Sequence, residues 1–165
     1  MAYQFIQLNK LTASADFSHS DHYKKLLPSN LNVDRYKIKI GISHQIETPV
    51  TFGWLHPIIL MPLAICNQLS IEEIETILIH EIAHVIRKDY LVNLIISVNQ
   101  IILFFNPFSY FLNKELHLQR EIACDVIVIK NKPQKLIYMN ALYKVAEHVH
   151  FQHQNNTNFT LGIFG

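Results

Sequence analysis

The sequence predicts an α+β fold, mainly α, in which a small strand or hairpin region is followed by a run of helices. Three observations predict it. Residues 36–42 alternate, with Tyr36, Ile38, Ile40 and Ile42 on one face and Lys37, Lys39 and Gly41 on the other, as a half-buried strand requires. Ser70 and Glu73 form a capping box ahead of apolar residues at three- and four-residue steps. Beyond Asp89, Asn106-Pro107 and Asn131-Lys132-Pro133 punctuate sequence that is otherwise compatible with helix to about residue 150. The 165 residues suit one ordinary domain. A single domain over 1–165 is expected, with an N-terminal region (1–35), strands (36–62), a helical core (71–150) and a polar tail (151–165).

Taken in order, Ser18, Ser20, Asp21, Pro28, Ser29 and Asn30 punctuate a short helix near 22–27. No formally charged side chain occurs from Thr48 to Ile71, yet Pro49, Gly53, Pro57 and Pro62 forbid a helix through its first half. Short strands and turns are expected there. Ile58 to Met61 form an apolar strand bracketed by prolines, a pattern that usually marks a sheet edge. The helix capped by Ser70 carries Ile74, Ile77, Leu78, Ile82 and Val85 and should run to about Lys88. Residues 90–113 again lack formal charge and are long enough to span a bilayer, although Asn93, Asn99, Gln100, Asn106 and Pro107 interrupt them. Asn106-Pro107 reads as the N-cap and first position of a new helix reaching about Lys130. A last helix should cover roughly 134–150.

Half of the residues are apolar and 16% are charged, which argues against disorder. The formal net charge is +1 and neither sign forms a long run, so nucleic acid is a poor partner. Cys66 and Cys124, far apart and without Cys-x-x-Cys spacing, exclude a disulfide-dense scaffold and a four-thiolate metal site. Met1 to Lys10 lack the pattern of a secretory signal peptide.

The chemistry begins at His80-Glu81-Ile82-Ala83-His84. Four residues of helix turn about 400°, which places both imidazoles on one face within reach of one ion. Glu81 projects beside the ion, where its carboxylate can take a proton from activated water. Alternatively, both histidines are ordinary hydrogen-bonded side chains of an amphipathic helix. A catalytic zinc takes three protein ligands and keeps one position open, so a third ligand is needed. Glu121 and Asp125 share a face of a later helix. Glu121 can complete a two-histidine, one-carboxylate set, leaving Asp125 to accept the spare ring N–H of a ligand histidine. The competing reading is a solvated acidic face partnered by Arg120 and Lys114.

Other residues have plainer readings. Cys124 suits a small buried position better than a nucleophile or ligand. Arg87 and Asp89 suit a local ion pair at the end of the zinc-helix candidate. His117 or Tyr138 can face a cleft and stabilise an oxyanion, and the sequence does not choose between them. His148, His150 and His153 suit a solvated tail.

His80-Glu81-x-x-His84-x-x-Arg87-x-Asp89, then Asn106-Pro107-Phe108, then Arg120-Glu121-x-Ala123-Cys124-Asp125 resemble the successive motifs of the BlaR/MecR-type membrane metallopeptidases, a gluzincin family. Phe52-Gly53, Pro57-Ile58-Ile59-Leu60 and Pro62 resemble the strand pair ahead of the zinc helix, so the resemblance covers about residues 48–130, and more weakly Leu161-Gly162. It implies a zincin-like fold with one Zn2+ held by His80, His84 and Glu121. Glu81 would be the catalytic base and Asp125 would lie behind the ligands. It further implies a protein or peptide substrate lying by strand addition along an edge strand, placed at Ile58, Ile59 and Leu60. Relatives usually carry transmembrane helices ahead of the zinc domain, so a fragment, a trimmed gene product or a short divergent member is expected; the position after Asp125, often acidic in relatives, is Val126.

The expected activity is zinc-dependent endopeptidase cleavage in regulated proteolysis, at the cytoplasmic membrane with the site facing the cytoplasm. On physical grounds alone, residues 90–113 suit a membrane-embedded segment and a buried core helix equally, and the resemblance favours the membrane. The rivals are a non-catalytic metal-binding sensor or scaffold, closed by a fourth ligand such as His117, and a zinc-free membrane helix bundle.

Overall fold

The computed structural model describes residues 12–161, with Asn32 and Trp54 excepted. Met1 to Lys10, Gly162 and the side chain of His153 lie outside the described residues, and the expectations made for them stay there. The described elements are α1 (Ser20–Leu26), two 3-10 turns (Ser29–Leu31 and Val33–Tyr36), β1 (Lys39–Ser43), β2 (Val50–Phe52), β3 (Ile58–Pro62), α2 (Leu63–Cys66), α3 (Ile71–Ile86), α4 (Asp89–Ile102), α5 (Pro107–Asn131) and α6 (Lys135–Leu161). The fold is mainly helical, with one small mixed sheet.

The first strand is shorter than its alternation suggests. Tyr36 closes a 3-10 turn and Lys37 takes a left-handed φ of 51°, so pairing begins only at Lys39. The second face of β1 is open at Lys39 but closed at Gly41. A Cβ on Gly41 would lie 2.7 Å from a ring carbon of Phe17, so glycine is what lets that ring cover the strand.

The strand order is β1-β3-β2, with β3 parallel to β1 and antiparallel to β2. This corrects the edge assignment of Ile58, Ile59 and Leu60. They form the central strand, with Ile59 paired to Ile40 on one side and Thr51 on the other. The bracketing prolines do not forbid this, because Pro57 and Pro62 lie at or beyond the ends of the ladder and remove no donor from its middle. The outer side of β1 is bridged by Asp16, whose amide and carbonyl exchange 2.9 Å bonds with Ile42. Among the described residues no strand pairs with the outer side of β2.

Helix α3 is the axis of the core. Ser70 Oγ accepts from the Glu73 amide at 3.2 Å and Glu73 Oε2 accepts from the Ser70 amide at 2.8 Å, so both halves of the capping box form. The helix is buried over most of its surface, including Glu73, Glu75 and Thr76 in its first turns, because the sheet, α5 and α6 all pack against it. Leu78, Ile79 and Ile82 pack with Ile40, Ile59 and Met61 of the sheet, Val128 of α5, and Tyr138 and Ala141 of α6. Lys132 reaches Glu75 and Lys144 reaches Glu73, both at 2.7 Å, tying α5 and α6 to the first turns of α3. The helix stops at Ile86, short of Lys88, because Lys88 takes a left-handed conformation (φ 56°, ψ 41°) and turns the chain directly into α4.

Asn106 caps α5 through a 3.0 Å bond from the Phe108 amide, with Pro107 following at the first helical position. The reading of residues 90–113 as a buried core helix is overturned. In α4 only Asp89 is buried, and Phe104 and Phe105 at the tip of the α4–α5 hairpin are 84% and 72% exposed. Among the described residues no helix is long and apolar enough to cross a membrane. The 14 residues of α4 reach only about 21 Å, against an apolar bilayer core of about 30 Å. Helix α6 runs past His150 to Leu161 where a polar tail was expected, since neither glycine nor proline interrupts 135–161.

Candidate metal centre

Along α3 the four-residue spacing brings the rings of His80 and His84 to 5.0 Å between centroids. Packing of α5 on α3 then delivers Glu121, whose Oε2 lies 3.4 Å from His80 Nε2 and 3.8 Å from His84 Nε2. One ligand atom from each of the three residues falls within 4.8 Å of the others. Two donors on the same tetrahedral zinc are about 3.3 Å apart, given bonds of about 2.0–2.1 Å. The set is therefore near the size and of the chemistry that a zinc ion takes.

The remaining ring nitrogens decide what the Nε2 atoms present. His84 Nδ1 lies 2.8 Å from Asp89 Oδ2. His80 Nδ1 lies 2.8 Å from the Tyr138 hydroxyl and 3.1 Å from Asp125 Oδ1, while that hydroxyl donates to Asp125 Oδ1 at 2.6 Å. Each Nδ1 thus faces an acceptor, and in the neutral tautomer that donates from Nδ1 the Nε2 lone pair of each ring is turned towards Glu121. In that tautomer two lone pairs and one carboxylate oxygen converge at 3.4 and 3.8 Å, an arrangement that a cation among them would relieve. This electrostatic demand fits a divalent metal.

Asp125 thus stands behind His80. Asp89, expected as the ion-pair partner of Arg87, does contact its Nε at 3.4 Å, but it also stands behind His84. That second role needs the left-handed turn at Lys88, which folds residue 89 back onto residue 84 and has no sequence signature. Tyr138 is buried, and its hydroxyl is engaged at the back of the site instead of facing the cleft as an oxyanion donor. Burial, then the hydrogen bond and charge of Asp125, hold its phenol well above the ordinary range, so it remains a neutral donor.

Cys124 is fully buried, 3.4 Å from His84 Nδ1 and 3.8 Å from Asp89 Oδ2. With His84 and Asp89 it makes a second group of close donor atoms. Burial, assisted by the carboxylate of Asp89, pushes its thiol up to about 12, so it stays protonated and packs as a small apolar residue.

Glu81 projects into a cleft of about 350 Å³. Its Oε2 accepts a 2.5 Å bond from the Thr51 hydroxyl on β2. Strand β2 forms one wall with Thr51 and Phe52, and Asn93, His117, Arg120 and Glu121 form the wall contributed by α4 and α5. Ile58, Ile59 and Leu60 do not line this cleft; Ile59 and Leu60 are fully buried. His117 is mostly exposed, with Nδ1 3.7 Å from Glu121 Oε1, the oxygen not nearest the two histidines. Arg120 bonds Asn93 on α4 and neither Glu121 nor Asp125, so it is not the partner of an acidic face.

A family model described as BlaR1 peptidase M56 matches residues 1–160. Among curated proteins, the regulatory protein BlaR1 of Bacillus licheniformis is 37% identical over 100 residues, covering 61% of this chain and 16% of that protein. The methicillin resistance mecR1 protein of Staphylococcus aureus is 28% identical over 147 residues, covering 88% of this chain and 25% of the relative. A BlaR1 regulatory protein of Staphylococcus aureus is 26% identical over 114 residues, covering 68% and 20% respectively. The chain thus spans a quarter or less of the length of these relatives. With the family model matching nearly its whole length, this chain belongs to the BlaR1 peptidase M56 family.

Proposed function

We propose that residues 1–165 form one zincin-like, zinc-dependent endopeptidase domain, associated with the cytoplasmic membrane and acting in regulated proteolysis. One observation carries the reading: His80 Nε2 and His84 Nε2 both face Glu121 Oε2, while their Nδ1 atoms are held by the Asp125–Tyr138 pair and by Asp89. His80, His84 and Glu121 would hold one Zn2+. Bound there, zinc supplies a Lewis acid that polarises the peptide carbonyl and brings the pKa of water down to about 7.

The protein's own residues do the rest. Glu81 takes the proton of the attacking water and returns it to the leaving amine. The Thr51 hydroxyl, at 2.5 Å, holds one oxygen of that carboxylate and so orients the other. Asp125, Tyr138 and Asp89 keep both imidazoles in the tautomer whose Nε2 is free. The substrate chain, a protein or peptide, adds as a strand along the outer side of β2, the sheet edge that lies in the cleft wall. Membrane association is supported by the exposed apolar hairpin of α4 and α5, and a regulatory setting by the relatives named as regulatory proteins. The site then faces the cytoplasm, where a repressor or other cytosolic protein is cut. A closed sensor site lacks support, because His117 is not in the group of donor atoms that includes His80, His84 and Glu121.

Elemental analysis together with a chelator-sensitive cleavage assay tests the reading. Glu81→Gln should keep stoichiometric zinc and lose turnover, while His84→Ala should lose both. Wild-type proteolysis by Glu81→Gln would refute the role of Glu81.

A further inference from the structure

The cleft holds one charge that the proposed hydrolysis does not use. Arg120 precedes Glu121 on α5 and sits half-buried in the wall contributed by α4 and α5. Its Nη1 donates to Asn93 Oδ1 on α4, and its Nε is buried with no partner. Glu121, its neighbour in sequence, turns Oε2 to His80 and His84 and Oε1 towards His117. Among the described residues no carboxylate lies within ion-pair distance of the guanidinium.

A guanidinium keeps its charge at every working pH, and a partly buried cation is costly without a counter-ion. Its planar fork matches a carboxylate. Asn93 and His117 beside it offer no negative charge, and Val50 and Phe52 of the same cleft are apolar. Glu81, Asp89 and Glu121 also line the cleft and would repel an acidic substrate unless a cation offsets them. We propose that Arg120 is a carboxylate-binding subsite, by which the cleft selects peptides with an acidic side chain beside the bond to be cut. The inference rests on the peptidase reading. Asn93 is a positioning residue that holds the guanidinium in the wall.

The test compares peptides that differ only in Glu, Gln or Lys at residues flanking the cleaved bond. With zinc-loaded wild-type protein, kcat/KM for Glu should exceed that for Gln by about tenfold or more, the range of one hydrogen bond to a charged group. Arg120→Ala should abolish that ratio, and Arg120→Glu should turn the preference to Lys. Equal rates for all three peptides in the wild type, or one common loss factor in Arg120→Ala, would overturn the proposal. If Arg120→Ala does not fold, Arg120→Lys is read in the same way: a reduced Glu-over-Gln ratio supports the fork, and an unchanged ratio overturns it. Fluorescence anisotropy of the same peptides on zinc-loaded Glu81→Gln protein separates the two claims. Acid-selective binding that vanishes with Arg120→Ala, alongside a wild type that cuts nothing, would uphold the subsite and sink the peptidase reading. Binding without acid selectivity would overturn the subsite.

Discussion

Asp89→Ala removes the carboxylate behind His84 while leaving all three proposed ligands in place. The side chain is almost wholly buried, and its Oδ2 receives His84 Nδ1 at 2.8 Å and Arg87 Nε at 3.4 Å. A hydrogen bond to a charged group contributes about 1.5–3 kcal/mol. Losing the partner behind a metal-bound histidine lowers metal affinity by about 10–100-fold, which is about 1.4–2.8 kcal/mol and so agrees with that range. Arg87 is one-third exposed and can turn to solvent, so most of the loss should appear at His84. Asp89→Asn keeps an acceptor for Nδ1–H and should lose less. Competition titration against a chromogenic chelator reads the zinc affinity, and circular dichroism of the metal-free protein separates binding from folding. Asp89→Ala with wild-type zinc affinity and wild-type fold would refute the role assigned to the Asp89–His84 pair.

Further outcomes follow from other contacts. Lys88 pays for its left-handed backbone, so Lys88→Gly should raise stability to denaturant by up to about 1 kcal/mol, while Lys88→Val should lower it. Gly41→Ala should lower the melting temperature through its clash with Phe17, by an overpacking cost of about 1–3 kcal/mol, and a smaller residue at 17 should recover part of it. Burial pushes the Glu73 carboxyl up, but Lys144 and the Ser70 amide outweigh it and hold the group below its ordinary 4.5. Its contribution to stability is therefore present above pH 4.5 and lost as the pH falls through the lowered folded value, so Lys144→Met should flatten the acid limb of a denaturation series. Changing Phe104 and Phe105 to Ser should weaken flotation with lipid vesicles, since each buried Phe contributes about 1.5–3 kcal/mol.

Features encoded by neighbouring residues are legible in the sequence. The Ser70–Glu73 box, the Asn106-Pro107 start and the His80–His84 spacing all depend on backbone within one or two turns. Features that depend on distant packing are not. Prolines at both ends of β3 resemble those of an edge strand, and only the return of β1 alongside β3 makes it central. Apolar composition in 90–113 could not distinguish a buried helix from an exposed one, because both lack charge. The pairing of Asp89 with His84 depends on one left-handed residue, and the engagement of Tyr138 with Asp125 and His80 depends on how α6 docks against α3 and α5. Arg120 looked like a partner for nearby acids until α4 supplied Asn93.

The most direct measurement is zinc X-ray absorption on the freshly purified, zinc-loaded protein, paired with elemental analysis. One zinc per chain, with nitrogen and oxygen neighbours at about 2.0–2.1 Å and a shell altered by Glu121→Ala, is the predicted result. A sulfur neighbour near about 2.3 Å, which would move the ion to Cys124, or a shell indifferent to Glu121→Ala would contradict it.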